Sequence, residues 1–256
     1  MLHLNSIKQL PNGELPPSSS DQNYLLGALP DDVKARLAPH LELVKLPLGK
    51  SLYESGDQLK YVIFPTNSII SLVYVMENGD SAEISVIGND GILGTAIFLG
   101  GGSTPHRAVV QSEGSAYQLP AHVLREEFKH HSKLHELLLR YTLSLMTQMA
   151  QTAVCNRHHS VDQQLCRWLL LSLDRIPSNV LTMTQELIAN MLGVRREGVS
   201  VAAGKLQKLG VIEYQRGRMV VLDRAKLEKL SCECYQVVKT ECDRLLDYLP
   251  DNNHPR

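Results

Sequence analysis

Residues 181–222 read LTMTQELIANMLGVRREGVSVAAGKLQKLGVIEYQRGRMVVL, and this run decides the fold of the C-terminal half. Thr184 stands where an N-cap belongs, and Glu186 sits in the first turn, where a negative charge favours the positive helix end. Leu187, Ile188, Met191 and Leu192 fall at helical spacing and define one buried face. Gly193 stops that helix with a residue free of Cβ strain. A second helix starts near Arg195, with Val199, Ala202, Leu206 and Leu209 as its inward stripe and Ala202 and Ala203 small enough for close approach. Gly210 ends it. Val211 to Tyr214 and Arg218 to Leu222 then read as two strands around an Arg216-Gly217 turn.

The outward side of the second helix gives this arrangement a purpose. Arg195, Arg196, Glu197 and Ser200 lie at or near its N-terminus, where a helix entering the major groove carries its base-reading side chains. Arginine can make two hydrogen bonds to guanine, and glutamate can accept one from cytosine N4. The segment holds six basic and three acidic residues and is +3 within a chain of net charge −1. Local basicity of this kind suits a phosphate backbone, with Thr184, Lys205, Arg216, Gly217 and Arg218 placed to hold it. An ordinary solvated helix face would carry similar charges, but not the glycine turn, the small inward residues and the basic hairpin together.

The 256 residues suffice for two domains with real cores, and 43% hydrophobic content makes most of the chain globular. No apolar run is long enough to span a bilayer and none of signal-peptide length follows the N-terminus, so the expectation is a cytoplasmic protein without membrane attachment. Five cysteines, an odd number with none before Cys155, suggest reduced thiols. Residues 1–21 are rich in Pro and Ser and read as a flexible extension, and the polar tail from Pro250 as frayed. Between Leu41 and Pro120, short β-rich runs alternate with Asn78-Gly79-Asp80, Gly88-Asn89-Asp90-Gly91 and Gly100-Gly101-Gly102, the rhythm of a small antiparallel barrel or jelly roll. Two short helices separated at Pro30 precede it.

His131 to about Asn156 reads as one long helix. Leu134, Leu138, Tyr141, Leu145 and Met149 recur along one side of it. Such a stripe can cover the barrel, but the helix exceeds what a small barrel needs, and the stripe is assigned to pairing with a two-fold mate. Ser160 to Leu173 is a further helix, and Lys226 to Leu249 a final amphipathic one. The α+β chain thus divides into an extension (1–21), a β-barrel sensor (22–130), a dimerisation helix (131–158) and a winged helix-turn-helix with a C-terminal helix (159–249).

The order of barrel, long helix and winged helix-turn-helix resembles the Crp/Fnr family of bacterial transcription regulators over roughly residues 25–225. The most specific portion runs from Leu181-Thr182-Met183-Thr184-Gln185-Glu186-Leu187-Ile188-Ala189 to Met191-Leu192-Gly193-Val194-Arg195-Arg196-Glu197, and Cys155-Asn156-Arg157-His158 leading to Arg167-Trp168-Leu169-Leu170 resembles one branch. The resemblance implies a homodimer that binds palindromic duplex DNA, with a signal at the barrel shifting the long helices and RNA polymerase as a further partner.

Two departures qualify it. Members that bind cyclic nucleotides carry a Gly-Glu-Leu motif whose Glu accepts hydrogen bonds from the ribose, followed by an Arg for the phosphate. The matching run here is Gly91-Ile92-Leu93-Gly94. Ile92 has no acceptor, which leaves a ribose hydroxyl unpaired at a cost of about 1–3 kcal/mol. Arg107, before Ala108, follows Ile92 by fifteen residues, stretched by Gly100-Gly101-Gly102-Ser103. Gly91, Ile92, Leu93, Gly94, Arg107 and Ala108 form the effector candidate, with cAMP disfavoured and no cofactor required. In the reader, Val201 stands where a second base-reading Arg is usual, and a valine contacts a thymine methyl instead. The expected half-site is therefore related to the family's usual one but not identical.

Metal and catalytic chemistry are disfavoured. Cys232, Cys234 and Cys242 have a suggestive spacing, but on one helix Cys232 and Cys234 would diverge, so buried structural thiols are expected. His131 and His135 lack a third ligand, and nothing nominates a haem ligand. No P-loop, triad or carboxylate pair is present, so an enzyme is not expected. The competing reading is a signalling module that senses a small molecule or cyclic nucleotide and whose helix-turn-helix does not act on DNA.

Overall fold

The alternating region becomes two facing antiparallel sheets in the computed structural model, which describes residues 19–248. Most of the expected N-terminal extension and the tail from Pro250 lie outside the described residues. β1 (Glu42–Leu46), β3 (Tyr61–Pro65) and β7 (Gly114–Pro120) form one sheet in the order β1-β7-β3. β2 (Ser51–Tyr53), β4 (Ile69–Val75), β5 (Ser81–Ile87) and β6 (Arg107–Ser112) form the other in the order β2-β6-β4-β5. Leu46, Val62, Phe64, Ile70, Leu72, Val110 and Leu119 fill the space between them. Strand β7 is not among the expected strands, because Gly114-Ser115-Ala116 lacks β-branched residues. Packing makes it central: it pairs with β1 on one side and β3 on the other. Gly114 is required there, since a Cβ would lie 2.6 Å from Asn67 Oδ1, which accepts the Ser115 N–H at 2.7 Å.

Two short helices, α1 (Tyr24–Gly27) and α2 (Asp31–Leu37), precede the sheets, divided at Pro30 as expected. Asn23, fully buried, caps α1 and donates to the Pro65 and Gly91 carbonyls at 2.9 and 2.8 Å, which seals the helices to the sandwich. After α3 (Ala121–Lys129) comes the long helix α4 (Lys133–His158), whose 26 residues span about 39 Å. The C-terminal half comprises α5 (Val161–Leu173), β8 (Val180–Thr182), α6 (Gln185–Leu192), α7 (Arg196–Lys208), β9 (Ile212–Gln215), β10 (Arg218–Val221), α8 (Arg224–Leu230) and α9 (Glu233–Leu245). β8 pairs with β10 and turns the expected hairpin into a three-stranded sheet.

Two elements differ from the sequence-based expectation. The single helix expected over 226–249 is two, because Asp223 caps α8 and the extended Cys232 starts α9 afresh. The α9 helix then folds back along α4. That contact, with β5 on the other flank, buries the stripe assigned to dimerisation. Leu134, Leu138, Tyr141 and Leu145 are 0–5% exposed and Met149 is half-buried, so they belong to the protomer's own core. Helical periodicity identifies an apolar face but cannot say which neighbour covers it. Among the described residues no helix is long and apolar enough to cross a membrane.

Candidate nucleic-acid interface

The reader is assembled from three local devices. Thr184 caps α6, its hydroxyl accepting the Leu187 N–H at 3.1 Å. Gly193 terminates α6 in the left-handed region at φ 64°, where its missing side chain leaves only 3.3 Å from a notional Cβ to Ala82 of β5. Arg195 is then extended and serves as N-cap of α7. Val199, Ala202, Ala203 and Leu206 face the core, and Ile188, Ala189, Met191 and Leu192 meet them from α6. This seating leaves Arg195, Arg196 and Glu197 exposed at the positive end of α7, with Val201 59% exposed one turn on.

Two of the expected contacts are otherwise engaged. The Ser200 hydroxyl donates to Gln185 Oε1 at 2.5 Å and lies 3.1 Å from the Arg196 carbonyl, so it joins α7 to α6 rather than facing outward as a base reader. Lys205 is paired with Asp162 of α5 at 2.6 Å, which removes it from the free phosphate contacts. At the wing tip Arg216 and Gly217 both have positive φ, 50° and 79°, as a two-residue hairpin turn of the right twist demands. Arg216 and Arg218 are exposed. The wing is pinned to the start of α6: the Met183 N–H donates to the Gly217 carbonyl at 2.7 Å, and the Tyr214 hydroxyl donates to the Met183 carbonyl at 3.1 Å. Thr184, Arg216, Gly217 and Arg218 thus gather around one edge of the reader.

The effector candidates do not converge in this way. Ile92 and Leu93 are buried, and Leu93 forms an isolated bridge to Ile63 on β3. Gly91 lies flat against α4, where a Cβ would fall 1.9 Å from the Tyr141 ring, and the Ile92 N–H reaches the Tyr141 hydroxyl. Burial, reinforced by the nearby Asp90 charge, holds the Tyr141 phenol well above its usual pKa. Arg107 sits in the other sheet, 3.6 Å from Glu54 and next to Ala108, which is fully buried. Among the described residues no hydrogen bond or ion pair links Arg107 to 91–94. A cavity of about 490 Å³ opens on the β1-β7-β3 sheet, and of the effector candidates only Leu93 lines it, with Lys50, Tyr53, Lys60, Tyr61 and Gln118 among others.

What sequence reasoning missed is the joint between sensor and reader. Glu83 on β5 accepts the Trp168 indole N–H of α5 at 2.9 Å. Asp90, in the turn before Gly91, pairs with Arg175 just beyond α5 at 2.8 Å, both nearly buried. A lone tryptophan within a helix of leucines was the available signal for the first; nothing in the local pattern marks the second. The cysteines are buried as expected, but the expected divergence of Cys232 and Cys234 fails on geometry. Cys232 precedes α9 in extended backbone instead of lying within a helix, so Cys232 and Cys234 converge on Cys155 and His159. Cys242 stands apart, against Ser144.

Comparison with known proteins separates the same two parts. Residues 43–131 match the cyclic nucleotide-binding domain family, and residues 163–230 match the Crp-like helix-turn-helix domain family. Electron transport regulator A of Shewanella oneidensis is 23% identical over 216 residues, covering 78% of this chain and 80% of that protein. FixK2 of Bradyrhizobium japonicum shares the fold at a TM-score of 0.64, with 15% identity over 75% of this chain and 98% of that one. A CRP-family transcriptional regulator of Thermus thermophilus does so at 0.61, with 18% identity over 73% and 96%.

Proposed function

The chain belongs to the Crp/Fnr family of transcription regulators, and from that premise we propose that it is a dimeric, sequence-specific DNA-binding regulator whose β-sandwich senses a signal other than cAMP. The observation that carries the reading is the exposed Arg195-Arg196-Glu197 cluster at the N-terminus of α7, set beside an arginine-tipped wing. Such a helix enters the major groove by its N-terminal residues while the wing tracks the backbone. Arg196 and Glu197 read a guanine and a cytosine, and Val201 meets a thymine methyl. RNA polymerase is the partner that such a DNA-bound regulator would meet in the cytoplasm.

Arg196→Ala is expected to lower discrimination for the selected site about 5–150-fold, the worth of one bidentate base contact, while leaving non-specific binding nearly intact. Competition binding against random duplex checks this; an equal loss on both DNAs would assign Arg196 to the backbone. Arg216→Ala should instead weaken all sequences alike and reduce the salt dependence by about one counterion. Selection of bound sequences from a random pool tests the Val201 contact, and recovery of the family's usual half-site unchanged would remove it.

Dimerisation rests on the face of α4 that neither β5 nor α9 covers. Leu139, Leu143, Met146 and Val154 are 45–61% exposed, and Ala150 between them is also exposed. Their spacing is that of a coiled-coil seam. Paired helices would hold two copies of α7 at a separation set by the scaffold, and half-sites about 34 Å apart can only be read together when that separation fits. The double variant Leu143→Glu/Met146→Glu should sediment as a monomer and lose operator affinity at least about 100-fold, because each half-site alone gives little specific binding. A dimer that persists would move the interface elsewhere.

The same geometry supports a sensing site in the sandwich. Ile92 supplies a backbone amide to Tyr141 and no acceptor to a ribose, and Arg107 is held by Glu54. The 490 Å³ cavity with Lys50, Lys60 and two tyrosines suits a small polar or anionic effector. Calorimetric titration with cAMP should give no heat beyond dilution, and tight cAMP binding that raises DNA affinity would overturn this part of the reading.

A further inference from the structure

The sharpest unassigned chemistry lies where the long helix ends. Cys155 is in the last turn of α4, His159 is its C-cap, Cys232 is the N-cap of α9 and Cys234 lies in the first turn of α9. The three sulfurs and one imidazole nitrogen lie within 4.8 Å of one another. The Cys155 and Cys232 sulfurs are 3.5 Å apart, and Cys234 Sγ is 3.5 Å from His159 Nδ1. The three cysteines are at most 5% exposed and form a small core of their own, apart from the main one. We propose that these four residues bind a single Zn²⁺ ion in a Cys₃His site that fastens the C-terminal helix to the joint between sensor and reader.

The distances fit the metal. Zinc bonds of about 2.3 Å to sulfur and 2.0–2.1 Å to nitrogen, arranged tetrahedrally, place neighbouring donors about 3.5–3.8 Å apart. A binuclear iron–sulfur cluster would hold its ligand pairs further apart than this cage does. Thiolate-rich sites with an imidazole select zinc over hard cations.

The surroundings are those of a ligand set. His159 turns Nδ1 towards the sulfurs, and its Nε2 lies 3.3 Å from a Glu233 carboxylate oxygen. That is the carboxylate–histidine arrangement that fixes the tautomer of a metal-bound imidazole. Cys232 Sγ lies 3.5 Å from Cys155 Sγ at the positive end of α9, where an anionic sulfur is favoured. Binding releases up to three thiol protons and leaves the site at −1, counting Zn²⁺, three thiolates and a neutral imidazole. The Arg167 guanidinium, 3% exposed and close enough for its charge to act on Cys155 and Cys234, balances that charge. Arg167 donates to the Thr152 hydroxyl at 3.2 Å, its charge also acts on Glu83, and its Nε has no hydrogen-bond partner.

The full-length protein, purified under reducing conditions and reconstituted with Zn²⁺, should hold one zinc per chain by elemental analysis. The Co²⁺ form should show the intense visible bands of tetrahedral coordination together with thiolate charge transfer. Cys155→Ser and Cys232→Ser should each lose the metal, and Cys166→Ser, outside the cluster, should retain it. Glu233→Gln lies on the surface and keeps the fold, and it should weaken zinc about 10–100-fold by removing the carboxylate behind His159. A reduced, folded wild-type chain that takes up no zinc or cobalt overturns the proposal. So does a Cys155–Cys232 disulfide as the only product, or an unchanged affinity in Cys232→Ser.

Discussion

Asp90→Ala should destabilise the folded chain by about 3–5 kcal/mol, the cost of leaving one partner of a buried ion pair without the other. The Arg175 guanidinium is 5% exposed and pairs with Asp90 at 2.8 Å. One of its remaining N–H groups donates to the Leu171 carbonyl at 2.8 Å, and Nε has no partner. Removing the carboxylate therefore strands a buried charge, because Asp174, whose charge also acts on Arg175, is already paired with Arg224. The cage cannot relax around it. Gly88 lies on the arginine stem, where a Cβ would come within 2.5 Å of Arg175 Cβ, and the Tyr248 hydroxyl donates to the Asp90 carbonyl at 3.0 Å. The second half of the test is the double variant Asp90→Ala/Arg175→Met. It should cost far less than the two single losses combined, because no charge is then left buried. Denaturant unfolding at fixed protein concentration, followed by Trp168 fluorescence, gives all three values. Additive losses would mean that the pair is not coupled. The pair connects the turn leading into Gly91 with the segment between α5 and β8.

Most of the architecture was legible because it is written in local chemistry. The α6–α7 turn follows from Thr184 and Gly193, the wing from Arg216-Gly217, and the sandwich from strands broken by glycine and asparagine. The remainder depended on which element lies next to which. Leu138 and Leu145 repeat as a dimer seam would, yet α9 and β5 cover them, and the apolar residues left exposed are Leu139, Leu143 and Met146 on the far side. Ser200 has the position of a base reader, but Gln185, fifteen residues earlier, takes its hydroxyl. Cys232 and Cys234 diverge only if a helix contains both, and the helix starts between them. In each case periodicity reports a direction, and the tertiary neighbour decides its use.

Raising the pH from about 4.5 to about 7 should remove about 3 kcal/mol of stability through Glu83 alone, and Glu83→Gln should abolish that loss. Glu83 is buried between β5 and α5, and desolvation pushes its pKa up to about 7 against the pull of its hydrogen bonds from Ser71 and Trp168. The hydrogen-bond pattern argues for the protonated form. Ser71 Oγ lies 2.5 Å from Glu83 Oε2 and 2.8 Å from Gln111 Oε1, and its single proton cannot serve both acceptors. With the Gln111 amide oriented as it is, a proton on Glu83 completes a closed relay. Glu83 donates to Ser71, Ser71 to Gln111, Gln111 to Ser172 at 3.1 Å, and Ser172 to the Trp168 carbonyl at 3.0 Å. The Trp168 indole donates back to Glu83 at 2.9 Å. Below about pH 4.5 both folded and unfolded chains hold this proton, so stability does not depend on it. Between 4.5 and 7 the unfolded chain releases the proton and the folded chain keeps it. Stability therefore falls with rising pH by up to about 1.4 kcal/mol per unit, and above 7 the loss is complete. Other carboxylates, such as Glu127 with its pKa lowered by Arg36, contribute with the opposite sign, so the wild-type curve must be compared with that of Glu83→Gln. The difference between the two, measured by urea unfolding at several pH values through the single tryptophan, isolates Glu83. Parallel curves would show that the carboxyl is already ionised when buried. A difference confined to this window would place a titrating group between sensor and reader, in contact with both.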